Sequence, residues 1–243
     1  MSADNSVTGK EILKTTPKES DNTKPKSSEQ NCTNFDAKER SKNTAEITQT
    51  LQVGSESVAE LTSRDVLYTQ ACKEMSDYAK CYVGAYQSII QLTLNKLKLL
   101  PQKSVVLQTK MLELESVLAQ IESIDLKADF VYDDDLYAIV REIGKVEDEY
   151  VAMKTNVQYK SEADLLQRIL KEVGFEAQEQ RLTEARRLLV KNFANALDNF
   201  NATISDAERT TEWELVEFYE RFNAITDFQE QYNYFDEFWP IFW

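Results

Sequence analysis

The chain has 243 residues, a formal net charge of −14 and no histidine. The lack of histidine excludes His-based acid–base catalysis, Ser-His and Cys-His nucleophile pairs, and histidine metal ligands. Five glycines and four prolines are too few for a fold with many tight turns. We therefore predict an all-α protein made of long helices.

No motif for an enzyme or a metal site stands out. The three cysteines, Cys32, Cys72 and Cys81, form no Cys-x-x-Cys pair, so neither a zinc site nor a redox motif is supported. Cys72 and Cys81 fall in a helical apolar pattern, and we expect reduced, packed thiols there. Because the chain also lacks a Gly-rich phosphate loop, we expect no enzyme activity, no metal and no cofactor.

The first 55 residues are predicted to form a disordered tail, followed by one helical domain over 56–243. Residues 1–52 hold few large apolar side chains, and their eight Lys/Arg balance eight Asp/Glu. Such a segment cannot bury enough apolar area to offset the entropy lost on ordering. Since neither a signal sequence nor a long apolar run is seen, we expect a cytoplasmic protein, or one peripheral on a membrane.

The first predicted helix covers about 60–122. Apolar residues recur there at steps of three and four, for example from Cys72 to Ile89. Pro101 removes a backbone hydrogen bond and disfavours helix at Leu100. It either kinks one long helix or separates two, and the pattern favours a kink or a short break.

The second predicted helix covers about 135–173, capped by Asp133 or Asp134 and ended by Gly174 as a left-handed C′ residue. The third covers about 176–239 and stops before Pro240. Both carry apolar stripes, and the late stripe approaches the 3.5-residue period of coiled coils. We predict that these stripes form a dimer or helix-packing interface through Leu136, Ile139, Ile143, Val146, Tyr150, Phe218, Phe222, Ile225, Tyr232, Phe235 and Trp239.

A monomer of three such helices would leave much apolar surface in water. Each helix would be roughly 60–95 Å long at a rise of 1.5 Å per residue. Aromatic residues make up twelve of the last 31 positions, and exposed patches of that size normally mark an interface. We therefore expect a homodimer or a heterodimer.

Charge is distributed unevenly along the domain. Residues 192–243 hold eleven acids and two bases, whereas 154–191 hold eight bases and six acids. The basic cluster at the predicted hairpin tip is a candidate membrane-binding surface, formed by Lys154, Lys160, Arg168, Lys171, Arg181, Arg186, Arg187 and Lys191. The alternative is an ordinary solvated helix surface with mixed charges. Because the net charge of this segment is only +2, charge alone favours that alternative. Binding to nucleic acid is not expected of so acidic a chain.

The run from Asp227 to Pro240, DFQEQYNYFDEFWP, resembles the end of the BAR domain in sorting nexins of the retromer type. Residues 118–130 and 136–143 also look like that family's boundary between its first and second helices. The resemblance implies a long three-helix antiparallel coiled coil that dimerises into a curved module. It further implies that the chain senses or shapes endosomal membranes, binds acidic lipids such as phosphoinositides, and works with a retromer-type coat.

The chain departs from that family in two ways. A tail replaces the lipid-binding PX domain that the family places before its BAR domain, and the basic excess is small, so we expect recruitment to depend on a more basic partner. The alternative is a coiled-coil structural subunit of a vesicle tether or adaptor complex that does not bind lipid directly.

Overall fold

A computed structural model describes residues 61–128 and 134–243. The predicted disordered tail over 1–55, the domain boundary at 55/56 and the proposed cap at Asp133 lie outside these residues. All of the described residues belong to one compact unit, and every regular element among them is helical. The all-α prediction is therefore confirmed for this part of the chain.

Eight α-helices and two short 3-10 helices make up the described residues. The α-helices are α1 (Ser63–Lys98), α2 (Val105–Glu122), α3 (Asp134–Thr155), α4 (Lys160–Glu172), α5 (Phe175–Thr203), α6 (Asp206–Thr211), α7 (Trp213–Ala224) and α8 (Phe228–Tyr234). The 3-10 helices are Val157–Tyr159 and Phe235–Phe242.

Pro101 separates two helices rather than kinking one. After α1 ends, the chain turns through 99–104, and the Ser104 side chain caps α2 by accepting from the Leu107 N–H. Helix α2 then runs back along α1, so that Lys98 pairs with Glu115 at 2.8 Å. The predicted helix over 60–122 is thus two antiparallel helices, because folding back lets Leu97 and Leu107 share one core.

The other two predicted helices are divided as well. The 135–173 helix is interrupted at Asn156, whose side chain accepts from the Gln158 N–H. The 176–239 helix is divided where Ser205 and Asp227 cap new helices through their side chains. Gly174 has φ +84° between α4 and α5, the left-handed conformation predicted for it.

The two cysteines of α1 differ in state. Cys72 is a buried free thiol, as predicted. Cys81 is disulfide-bonded, so the prediction of a reduced thiol is wrong at that position.

Helices α1 and α5 pack antiparallel along one another and connect two apolar cores. Tyr78 contacts Arg186, and Glu74 accepts from the Asn192 side chain at 2.7 Å. The aliphatic core lies between α1, α2, α3, α4 and the start of α5, and its most deeply buried side chains are Leu94, Leu97, Ile121, Leu136, Ile143 and Leu182. The aromatic core lies between α1, α5, α7 and the second 3-10 helix, and contains Phe193, Phe218, Phe222, Phe235 and Phe238.

The predicted interface residues lie in or beside these cores. Leu136, Ile139 and Ile143 are buried in the aliphatic core, and Val146 and Tyr150 pack against it. The aromatic core holds or contacts five more, namely Phe218, Phe222, Phe235, Tyr232 and Trp239, while Ile225 is half-buried. These side chains pack helix on helix within one chain, and the dimer stays a prediction.

Candidate functional site

Two segments that are distant in sequence lie side by side at one end of the helices. They are residues 99–109, from the turn between α1 and α2, and residues 150–161, from the turn between α3 and α4. A groove of about 370 Å³ between them is lined from both sides, by Val105, Val106, Thr109, Ala152, Met153, Asn156 and Tyr159, and also by the charged residues Lys110, Glu113 and Glu149. We call these two segments the loop end.

The loop end carries positive charge in an acidic protein. Its two segments, of eleven and twelve residues, contain three lysines and no acid, in a chain of net charge −14. Lys103 donates to the backbone carbonyls of Lys98 and Leu100. Lys154 and Lys160 are exposed and form no ion pair with any other described residue. The two segments of the loop end therefore carry a local excess of positive charge.

The same surface exposes large apolar side chains. Leu99, Val105 and Val157 are 81%, 77% and 89% exposed, and Val151 is also exposed. These are four of the ten large apolar side chains that are exposed among the described residues. Apolar side chains beside cations are typical of surfaces that meet the interface of a membrane.

Helix ends position these side chains. Leu99 is the C-cap residue of α1, Val105 is the first residue of α2, and Val157 is the first residue of a 3-10 helix. The capping side chains of Ser104 and Asn156 hold the two turns in place. Residues at such turns have few neighbours to pack against, which explains their exposure.

The predicted membrane-binding cations do not form one surface. Seven are exposed: Lys154, Lys160, Arg168, Lys171, Arg181, Arg187 and Lys191. Two of the eight contact aromatic side chains of other helices. The Arg186 Nε donates to the Tyr78 hydroxyl at 3.0 Å, and the Arg187 guanidinium lies 4.6 Å from the Phe228 ring centre.

Its contact on α1 shows how far Arg186 lies from the loop end. Arg186 contacts Tyr78, whereas the loop end begins beyond Lys98, twenty residues later on the same helix. At 1.5 Å per residue the separation is roughly 30 Å. Only Lys154 and Lys160 of the predicted set belong to the loop end, and the sequence prediction missed Lys103 and the exposed apolar side chains. The signal that would have found them is the acid-free composition of both segments.

A polar cluster lies between α1 and α3. The Glu147 carboxylate accepts from the Tyr82 hydroxyl at 2.9 Å and from the Tyr86 hydroxyl. Burial raises the pKa of Glu147, and the tyrosine hydrogen bond opposes part of that shift. Burial and the neighbouring Glu147 charge raise the pKa of Tyr82 as well. This cluster pins α3 to α1 and was not predicted.

The opposite end of α1 has a different character, and we call it the terminal end. Arg64 donates to Glu212 at 2.5 Å and to the Ile241 carbonyl at 2.7 Å, and its guanidinium lies 4.5 Å from the Phe242 ring centre. Around these contacts the exposed large side chains are Leu61, Val66, Trp213 and Trp243. The C-terminal segment, residues 192–243, contributes to this end and holds eleven acids against two bases.

Comparison with known protein families, with curated proteins and with solved structures gives no match to this chain. Within residues 61–128 and 134–243, no cluster of acidic or cysteine side chains is arranged to hold a metal ion. In the same residues, none of the helices combines the length and the apolar character needed to cross a membrane.

Proposed function

We propose that this chain is a non-enzymatic helical scaffold that binds acidic membrane surfaces through its loop end. The observation that carries the proposal is that the two segments of the loop end hold three lysines, no acid and four exposed apolar side chains, beside a groove that Lys110, Glu113 and Glu149 also line.

The energetics favour an approach with the loop end first. Each lysine near an anionic membrane surface contributes about 1 kcal/mol, and buried apolar area adds about 25 cal/mol per Å². The net charge of −14 repels the same surface at longer range. An orientation that keeps the acidic C-terminal segment away from the membrane is therefore preferred.

The BAR-type role belongs to the same proposal. In that role, an antiparallel dimer senses or shapes endosomal membranes and works with a retromer-type coat. Its support is the sequence resemblance over 227–240. The three predicted helices are divided at Pro101, Asn156 and Ser205, which argues against a module of three unbroken rod-like helices. Solution scattering tests this part, since an elongated curved dimer supports it and a compact particle contradicts it.

Vesicle co-sedimentation tests membrane binding. We expect the unmodified chain to sediment with phosphatidylserine-containing vesicles and not with pure phosphatidylcholine vesicles. The triple variant Lys103→Glu/Lys154→Glu/Lys160→Glu should bind roughly 100-fold more weakly, because three contributions of about 1 kcal/mol are lost.

A matched control separates the loop end from net charge. The variant Arg168→Glu/Lys171→Glu/Lys191→Glu makes the same charge change at exposed sites on α4 and α5. It should keep most of the binding. If both triple variants lose binding equally, or if neither does, the loop end is not the membrane-binding surface.

A second candidate function is a structural subunit of a tether or adaptor complex without direct lipid binding. The terminal end favours it, because Trp213 and Trp243 are 58% and 89% exposed in an acidic setting, and exposed tryptophans are enriched at protein interfaces. Crosslinking in cells should then give contacts from the terminal end that Trp213→Ser/Trp243→Ser abolishes. Leu92→Ser/Leu112→Ser, at exposed sites elsewhere, should leave them intact.

A further inference from the structure

One exposed surface, on the outside of the two antiparallel helices α1 and α2, is nearly free of charge. Over 88–98 on α1 and 110–119 on α2, the only exposed charged residues are Lys96 and Lys98. The other exposed residues of these two stretches define what we call the α1–α2 face: Ser88, Gln91, Leu92, Asn95, Leu112, Ser116 and Ala119. Because 29% of the whole chain is charged, a surface of this composition needs an explanation.

An ion pair between the two helices shows that both parts of the face point the same way. The Lys98 Nζ lies 2.8 Å from a carboxylate oxygen of Glu115. Residues three or four apart share one side of a helix. Asn95 therefore lies on the same side of α1 as Lys98. Leu112 and Ala119 lie on the same side of α2 as Glu115, so the two helices present these side chains to the same region of solvent.

Ion pairs also neutralise the charges at the two outer borders of the face. Toward α4, Lys96 pairs with Glu172 at 2.9 Å. Toward α3, Lys110 pairs with Glu113 and with Glu149. A partner that covers the α1–α2 face therefore desolvates no unpaired charge of the described residues, and such desolvation is what makes charged surfaces costly to bury.

The composition of the face favours a second copy of this chain as the partner. Leu92 and Leu112 are 47% and 67% exposed, and they supply apolar contact area. The amide groups of Gln91 and Asn95 both donate and accept hydrogen bonds. In a twofold dimer one patch meets the same patch of the other copy. Amides and apolar groups can pair with their own kind, whereas charges of one sign repel each other.

The net charge of −14 strengthens this argument. Two copies repel each other at long range, so they approach most favourably where neither presents an acid without its counter-charge. A basic partner would instead be attracted to residues 192–243, which hold eleven acids and two bases.

We propose that the chain forms a twofold homodimer through the α1–α2 face. This gives the dimer predicted from the sequence an interface other than the apolar stripes, which pack within one chain. The face lies outside the two segments of the loop end, and the homodimer does not depend on membrane binding.

Sedimentation equilibrium of the full chain tests the proposal. We expect a reversible dimer at micromolar concentrations, because a face of a few helical turns is small for a stable dimer. Raising the salt concentration should strengthen the dimer, since salt screens the repulsion between the two acidic copies. A chain that stays monomeric, or a dimer that dissociates when salt is added, would overturn the proposal.

A pair of matched variants tests the location of the interface. Leu92→Glu/Leu112→Glu places like charges on both copies and should weaken dimerisation at least about 100-fold. Leu61→Glu/Val66→Glu makes the same charge change at sites that are 51% and 54% exposed at the terminal end, and it should leave the dimer intact. If both variants weaken dimerisation equally, or if neither does, the α1–α2 face is not the interface.

A mixing experiment tests whether the face meets itself. Leu92→Lys/Leu112→Lys should be monomeric on its own, again because like charges meet. Mixed in equal amounts with Leu92→Glu/Leu112→Glu, it should form a heterodimer, because opposite charges then face each other. This rescue would also show that both variants are folded. A mixture that stays monomeric would overturn the twofold contact.

Discussion

The two cores fill space in different ways. In the aromatic core, the Phe193 ring meets the rings of Phe218, Phe222, Phe235 and Phe238 at centre distances of 6.1, 5.3, 4.4 and 4.9 Å, all edge to face. The aliphatic core brings five helices together around a half-open apolar cavity of about 80 Å³, beside the Glu147 cluster and the Thr93 hydroxyl, which has no hydrogen-bond partner among the described residues.

The difference has a physical origin. Short helices can each be oriented so that their large flat rings pack edge to face. Such ring pairs add a favourable quadrupole interaction to the hydrophobic gain from burial. Branched aliphatic side chains are held in a few rotamers on long helices whose crossings are set elsewhere. The aromatic core is therefore the better packed of the two cores, and we expect its side chains to contribute more to stability.

The largest expected effect tests the centre of the aromatic core. Phe193 is fully buried, and Phe193→Ala should lower the free energy of unfolding by about 3–5 kcal/mol in urea denaturation. Phe193→Leu, which keeps most of the volume, should cost clearly less. If Phe193→Ala lowers the free energy of unfolding by less than about 1 kcal/mol, the packing around the Phe193 ring does not stabilise the aromatic core as proposed.

The next effect tests the polar cluster beside the aliphatic core. Tyr86→Phe removes one of the two tyrosine donors of the half-buried Glu147 carboxylate and should lower the free energy of unfolding by about 1 kcal/mol, the net contribution of one hydrogen bond. The same substitution in a Glu147→Gln background should cost less. Equal costs in the two backgrounds would show that the hydroxyl and the carboxylate do not interact.

Two glycines near the aliphatic core should respond in opposite directions. Gly174→Ala should destabilise the fold by about 1 kcal/mol, because φ is +84° there. Gly144→Ala should stabilise it by about 0.5–1 kcal/mol, because it lies inside α3 and an added Cβ would meet nothing within 4 Å. Thermal unfolding of both variants checks the pair, and shifts of the same sign would contradict the assigned backbone conformations.

The smallest effect is the pH dependence that Glu147 brings, since this carboxylate is partly exposed. Burial raises its pKa above the ordinary value of 4.5, so the folded chain binds this proton more tightly than the unfolded chain does. Its stabilising contribution is present below about pH 4.5 and is lost as the pH rises through the raised pKa. As the pH rises above about 4.5, the unmodified chain should therefore lose stability relative to Glu147→Gln. Parallel profiles of unfolding free energy against pH for the two chains would exclude a raised pKa of Glu147.

Local features of the sequence were sufficient to predict several elements. The scarcity of glycine and proline indicated an all-α chain, and the stripe from Leu136 to Tyr150 indicated α3. Gly174 was recognised because a left-handed C′ position strongly favours glycine. At Pro101, the missing backbone N–H predicted that the helix would either kink or end. These features depend on near neighbours in the chain, which a sequence displays directly.

Tertiary packing decided the rest. Periodicity reveals which face of a helix is apolar but not which surface covers it. The burial of Phe218 and Phe222 could therefore be predicted, but not the core that they enter, nor the reversal of α2 onto α1. The interruptions at Asn156 and Ser205 fall inside periodic stripes, where a capping side chain looks like any polar residue. The loop end and the cavity exist only because residues far apart in sequence meet, and long-range contacts of that kind are fixed by the fold as a whole.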